Sequence, residues 1–205
     1  MKFSLPKIYP ITDRQISGLS HAGQVERLIE GGARLIQLRE KRASSLEFYE
    51  QAEKALKIAR RFRVRILIND RVDIALTLRA DGVHLGQDDL PPEEARRILG
   101  PDAIIGFSTH SVEQAIKAVE MPIDYLAVGP VFPTRTKEDP DETVGLEGVR
   151  SVRRSVGDFP LVAIGGITWQ NFPQVLRNGA DSAAVISGIL SPPEKIPENL
   201  RKFLN

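Results

Sequence analysis

Two aspartates, three cations and two pairs of small residues are spaced along this chain in a way that suits phosphate chemistry. Asp70 follows the run ILIN and Asp89 follows HLGQD. If adjacent strands carry them, the two carboxylates can meet at one hard cation. Mg²⁺ takes one or two carboxylates and fills its shell with water and substrate phosphate. On spacing alone Asp88 has the same claim as Asp89. Each aspartate also suits the N-cap of a following helix, over 72–78 or 91–99. Arg39 and Lys41 stand two apart at the end of an extended run, so both side chains can point the same way. With Lys137, at the end of the TRTK run, they suit a diphosphate, whose charge one metal does not neutralise. The plainer fate of Lys41 and Arg42 is a solvated loop. Gly165-Gly166 and Ser187-Gly188 each follow an apolar run. Glycine lets a phosphate reach backbone N–H groups without a Cβ in the way, or it simply turns the chain. His110 stands where a site residue could; His84 lies inside an apolar run and reads as packed core. Tyr9, Trp169 and the phenylalanines read as packing.

These residues need a scaffold that brings them together. Eight short β-rich runs, 8–12, 35–39, 65–69, 82–86, 104–108, 125–131, 160–165 and 182–187, alternate with helical patterns. Most are continuously apolar, as in LVAIG and AAVIS, the mark of parallel strands covered on both faces. Helices are predicted over 46–62, with Leu46, Tyr49, Ala52, Leu56 and Ala59 at helical spacing, and over 91–99, 112–119, 146–156, 171–178 and 194–204. Pro92 sits early in its helix, and Gly100, Gly157 and Gly179 lie just past helix ends. Eight βα units in 205 residues predict a single-domain (β/α)₈ TIM barrel over residues 1–205. The alternative, an open dinucleotide-binding sheet, requires a G-x-G-x-x-G after the first strand, where ITDRQISG stands. In a barrel the site lies at the C-terminal ends of the strands, which is where the aspartates, cations and glycine pairs fall. The polar stretch 137–144 is then a βα loop able to close over the site.

Composition narrows the function. Lys plus Arg number 28 against 27 acidic residues, so no nucleic-acid partner is expected and any anion site is a local cluster. The chain has no cysteine and three histidines, which removes disulfides and Cys-ligated metals and disfavours a multi-His zinc site. No apolar run suits a signal peptide or a membrane span, so the expected location is cytoplasmic. The sequence leaves room for a homo-oligomer.

Taken together, YPITD (9–13), QLREK (37–41), INDRVDIAL (68–76), GVHLGQDDLP (82–91), GFSTHS (106–111), VGPVFPTRTK (128–137), AIGGI (163–167) and AVISGI (184–189) resemble the thiamine-phosphate synthase family, in order and over nearly the whole chain. The resemblance implies a Mg²⁺-dependent transferase on a TIM barrel. It would join a pyrimidine diphosphate to a thiazole phosphate, both small molecules, and release diphosphate by a dissociative substitution. It further implies that Gln37, Leu38, Arg39, Glu40, Lys41 and Asn69 hold the pyrimidine diphosphate, together with Ser108 and Lys137. Asp70 and Asp89 would bind Mg²⁺; Thr134, Arg135, Thr136, Gly166, Ile186 and Ser187 would hold the thiazole phosphate. Arg39, Lys41 and Lys137 would stabilise the departing diphosphate. Thr109 stands where the family often has a smaller residue.

Three other functions would leave a different set of residues. A sister thiazole tautomerase would have eroded diphosphate-binding elements. A phosphosugar isomerase would share only the glycine-rich phosphate site and has no use for paired carboxylates beside three cations. A non-catalytic phosphate-binding barrel would have lost Asp70, Asp89 or Lys137. All are present here.

Overall fold

The computed structural model describes residues 4–134 and 142–204. Its eight strands are β1 (Ile8–Thr12), β2 (Leu35–Leu38), β3 (Arg65–Asn69), β4 (Gly82–Leu85), β5 (Ile104–Thr109), β6 (Tyr125–Val128), β7 (Leu161–Ile164) and β8 (Ser182–Val185). Each pairs in parallel with its sequence neighbour, and β8 returns to β1 through Ile8 with Ala183 and Pro10 with Val185. The barrel is closed, which excludes the open sheet. The helices are α1 (Arg14–Ser17), α2 (His21–Glu30), α3 (Ser45–Arg61), α4 (Val72–Leu78), α5 (Pro92–Leu99), α6 (Val112–Ala118), α7 (Gly145–Val156), α8 (Phe172–Arg177), α9 (Ser187–Leu190) and α10 (Ile196–Leu204).

Two cores explain the apolar runs. Outward-facing strand residues such as Ile36, Ile66, Val83, Ile105 and Leu126 pack under the helices. Their alternating neighbours, among them Tyr9, Leu35, Leu67, Ile104, Tyr125 and Val162, fill the barrel interior. A strand buried on both faces has no polar side to show, so alternation vanishes from its sequence. The same parity sends Gln37, Asn69, His84 and Ser108 inward at the upper ends of β2 to β5.

Several expected boundaries shift. β6 stops at Val128, just before Gly129-Pro130, rather than running to Val131. Pairing nevertheless continues past it, with Val131 N–H donating to Ile164 O at 2.9 Å and Phe132 N–H to Gly165 O at 3.1 Å. In α3 the buried stripe runs through Phe48, Ala52, Ala55, Leu56 and Ala59. Leu46, expected on that stripe, is exposed, as is Trp169. Apolar periodicity does not mark α2, because two of its four buried residues are His21 and Gln24. Gln24 works for its burial: Oε1 accepts from Asp13 N–H and Nε2 donates to Leu19 O, each at 2.9 Å. Of the 137–144 stretch, residues 137–141 lie outside the described residues.

Candidate active site

At the C-terminal ends of the strands the barrel opens into a cavity of about 500 Å³. Along 37–41 the side chains alternate. Gln37, Arg39 and Lys41 line the cavity, whereas Leu38 and Glu40 do not. Leu38 is buried under the helices. Glu40 turns into its own loop, where Oε1 accepts the N–H groups of Lys41 and Arg42 at 2.9 Å and of Ala43 at 3.3 Å. Burial acts to raise its pKa and is the largest single influence, yet these N–H bonds and nearby His21 together hold the carboxyl below its ordinary value. The side chains of Leu38 and Glu40 thus stand apart from the other residues assigned to the pyrimidine diphosphate.

The carboxylates meet as expected. Asp70 and Asp89 approach within hydrogen-bonding reach of each other, and Asp89 Oδ2 accepts from Gly86 N–H at 2.7 Å. Burial is the first cause of a raised Asp89 pKa, the Gly86 N–H opposes it, and the Asp70 charge adds to it. Neither aspartate caps a helix; Arg71 and Pro91 occupy those N-cap positions without side-chain caps. Asp88 also lines the cavity but is exposed. Asp70 takes a left-handed φ of 62° at the turn out of β3, a conformation Asp and Asn tolerate better than other side chains. Lys41 Nζ donates to Asp70 Oδ2 at 2.5 Å. Arg39 Nη1 donates to Asp13 Oδ2 at 2.9 Å while Asp13 Oδ1 caps α1 through Gln15 and Ile16 N–H. Asp13, unmarked in the sequence beyond its place in YPITD, therefore aims a site arginine.

Asn69 and Ser108 line the same cavity, as do Thr134, Gly165, Gly166, Ile186 and Ser187 on the β6 to β8 side. Arg135, Thr136 and Lys137 lie outside the described residues. Gly166 also has a packing reason to lack a side chain. Its φ is +63°, and a Cβ would lie 2.7 Å from Phe132 Cβ and from Pro133 O, against the loop after β6. The missing side chain lets two loops touch.

Three further residues complete the site. His84 is buried as expected, yet it also lines the cavity; burial lowers its pKa to about 4, and the Asp89 charge opposes this. Gln87 reaches across to donate to Ser108 O. His110 Nδ1 donates to Gly129 O at 2.6 Å, since a carbonyl only accepts. Thr109 is buried and donates to Ala127 O at 2.9 Å, so its hydroxyl is absorbed by the barrel wall.

The donor set fits a hard divalent cation. Two carboxylates crowd each other in a partly buried place, where a cation relieves both burial and repulsion. Among the described residues no group of three or more His, Asp or Glu side chains closes on one point; a Mg²⁺ held by two carboxylates would complete its shell with water and substrate phosphate oxygens.

Closed barrel, paired carboxylates, cations on one side and glycine turns on the other define a (β/α)₈ barrel enzyme built for phosphorylated small molecules. The thiamine monophosphate synthase family model matches residues 8–189, and this chain belongs to that family. It is 48% identical to the thiamine-phosphate synthase of Clostridium novyi over 185 residues, covering 90% of each chain. It is 45% identical to that of Clostridium acetobutylicum over 196 residues, covering 95% of this chain and 92% of the relative. Among solved structures, thiamine phosphate pyrophosphorylase from Pyrococcus furiosus superposes with a TM-score of 0.86 at 39% identity, covering 97% of this chain and 93% of that one.

Proposed function

We propose that this chain condenses 4-amino-2-methyl-5-(diphosphooxymethyl)pyrimidine with 4-methyl-5-(2-phosphooxyethyl)thiazole, or its carboxylated precursor, to give thiamine phosphate and diphosphate. The observation that carries this reading is one cavity with two unlike sides. Facing carboxylates with Lys41 and Arg39 occupy the β2 to β4 side, and the Gly165-Gly166 and Ile186-Ser187 turns occupy the β7 to β8 side. Two anionic substrates can then sit with their reacting atoms between the anchors. Family membership with the named synthases supports the same reaction.

Asp70 and Asp89 would hold Mg²⁺, which when bound neutralises charge on the diphosphate. The remaining steps belong to the chain. Arg39 and Lys41 hold the diphosphate and offset the charge it gains as the methylene carbon–oxygen bond breaks and the electron pair leaves with it. Lys137 is assigned the same role on the family pattern. Gln37, Asn69 and Ser108 orient the aminopyrimidine, whose electron-rich ring supports the cationic methylene. The Thr134 to Thr136 run, Gly166, Ile186 and Ser187 anchor the thiazole phosphate, so that the thiazole nitrogen lone pair is already directed at that carbon. The reading sets the reaction in the cytoplasm; among the described residues no helix is long and apolar enough to cross a membrane.

The test is direct. Purified protein, both substrates and Mg²⁺ should yield thiamine phosphate by mass. Excess chelator should stop turnover and leave the thermal melt unchanged, because the ion serves substrate rather than staples the fold. Absence of product with Mg²⁺, or full activity in chelator, overturns the reading.

A further inference from the structure

Beneath the cavity floor, five polar side chains from five strands touch in line. Gln37 Nε2 donates to Tyr9 Oη at 3.4 Å, and the Tyr9 and Tyr125 hydroxyls lie 3.2 Å apart. Tyr125 Oη is 2.9 Å from His84 Nδ1, and His84 Nε2 is 2.8 Å from Ser108 Oγ. Both ends of the line reach the cavity, whereas Tyr9 and Tyr125 are wholly buried. The reaction proposed above gives the two phenols and the imidazole no task. The interior is nevertheless shaped for them. Gly106 pairs with Tyr125 across β5 and β6, and a Cβ on Gly106 would lie 2.1 Å from Tyr125 Cζ. Any side chain there would push the phenol off His84.

With the Gln37 amide as donor, one order of protons along this line gives every buried hydroxyl an acceptor. The Gln37 amide N–H is the donor at its contact, so Tyr9 accepts from it and directs its own proton to Tyr125 Oη. Tyr125 accepts that bond and directs its proton at His84 Nδ1. A neutral ring whose Nδ1 accepts carries its one proton on Nε2, and that proton goes to Ser108 Oγ. Ser108 oxygen is then engaged from the interior, and its own proton is left for the cavity.

We propose that Tyr9, Tyr125 and His84 are positioning residues. Their one-way chain of hydrogen bonds holds His84 as the Nε2–H tautomer and so presents the Ser108 hydroxyl as a hydrogen-bond donor to a ring-nitrogen acceptor on the bound substrate. The tautomer stands on the interior geometry alone; the substrate consequence rests on the pyrimidine-transferase reading.

Two measurements test it separately. The first is two-bond ¹H–¹⁵N correlation on the full-length protein with ¹⁵N-labelled histidine at neutral pH. Three histidines are present, and loss of signals in His84→Gln assigns the one of interest. The expected pattern is a protonated Nε2 and a bare Nδ1; a protonated Nδ1 overturns the proposal without any substrate being added. The second is kinetic. Tyr125→Phe keeps the ring and removes the link, so the KM for the pyrimidine diphosphate should rise roughly tenfold, the effect of about one hydrogen bond. The KM for the thiazole phosphate should stay in place. His84→Leu should produce the same split. His84→Gln carries an amide N–H near the Nε2 position and should recover most of that loss. If the Leu and Gln variants, both folded by thermal melt, are equally impaired, the chain is packing only and the positioning role is overturned. A wild-type protein that makes no thiamine phosphate removes the substrate reading, while the tautomer result still decides the interior chain.

Discussion

At the residue scale the site is a balance of charges held close. Asp70 sits between Asp89, which repels it, and Lys41, whose Nζ lies 2.5 Å from Oδ2. The left-handed φ of 62° at Asp70 selects a short polar side chain. Asn satisfies that backbone equally well, so Asp70→Asn isolates the charge. The expected outcome is a fall in kcat/KM of at least about tenfold, as for other lost preorganised charges, with the melting temperature nearly unchanged. An unaltered rate, measured at saturating Mg²⁺, would exclude Asp70 from the ion site. Asp13 shows the opposite economy: one carboxylate caps α1 and holds Arg39 at once.

At the element scale, turns and helices divide the labour. The β7 turn at Gly165 and Gly166 takes φ values of 100° and 63° and packs on the loop after β6. Gly166→Ala therefore carries backbone strain and a clash with Phe132 and Pro133. Urea unfolding should show a loss of more than about 1 kcal/mol. The KM for thiazole phosphate should rise more than that for the pyrimidine diphosphate, since the displaced loops line its side of the cavity. A fully stable variant would contradict the packing. On the opposite end of the barrel, Arg153 of α7 clamps the entry to β7 and β8. It donates to Gly179 O at 2.7 Å, Phe159 O at 2.9 Å and Asp181 Oδ2 at 2.5 Å, and Asp181 in turn accepts Leu161 N–H. Arg96 of α5 repeats the device with Pro122 O and Asp124, which accepts Ile105 N–H. Arg153→Met should cost about 1.5–3 kcal/mol, the scale of hydrogen bonds to a charged group, and leave both Michaelis constants alone. A kinetic defect without a stability loss would mean the two ends are coupled.

At the scale of the whole molecule, chemistry gathers on one rim of the barrel and fastening on the other. The interior also stores two histidines that resist protonation. Burial lowers both His21 and His84 to about 4, with Glu40 and Asp89 respectively opposing it. In the unfolded chain each titrates near the ordinary 6.5. Between about pH 6.5 and 4 the unfolded state therefore binds more protons, and stability falls as pH falls. The contribution is complete above that window and is at most roughly 3 kcal/mol per histidine. The raised carboxyl of Asp89 acts in the opposite sense in the carboxylate range. Urea denaturation at pH 7.5 and pH 5 should give a lower free energy at pH 5, and His21→Phe should flatten the difference. Equal stability at the two values would mean that the buried rings are charged in the fold.

Much of this architecture is legible in the chain itself. The eight apolar runs specify parallel strands because burial on both faces leaves no polar alternation. The aspartates, cations and glycine pairs fall at strand ends because that is where a barrel opens. Side-chain parity is likewise local: Arg39 and Lys41 share a direction because they stand two residues apart. Contacts between distant segments are not local and required the closed barrel. Only there does Asp89 face Asp70 while Asp88 stays exposed, and only there does Gly166 come against Phe132 and Pro133. Helix α2 escapes the pattern because its buried face carries His21 and Gln24, whose partners lie elsewhere in the chain. His84 reads as core and is core, yet its ring joins Tyr125 from 41 residues away to Ser108 from 24. Periodicity reports which face of an element is buried; which polar atoms meet across the interior depends on how eight strands close, and that is decided by the tertiary structure.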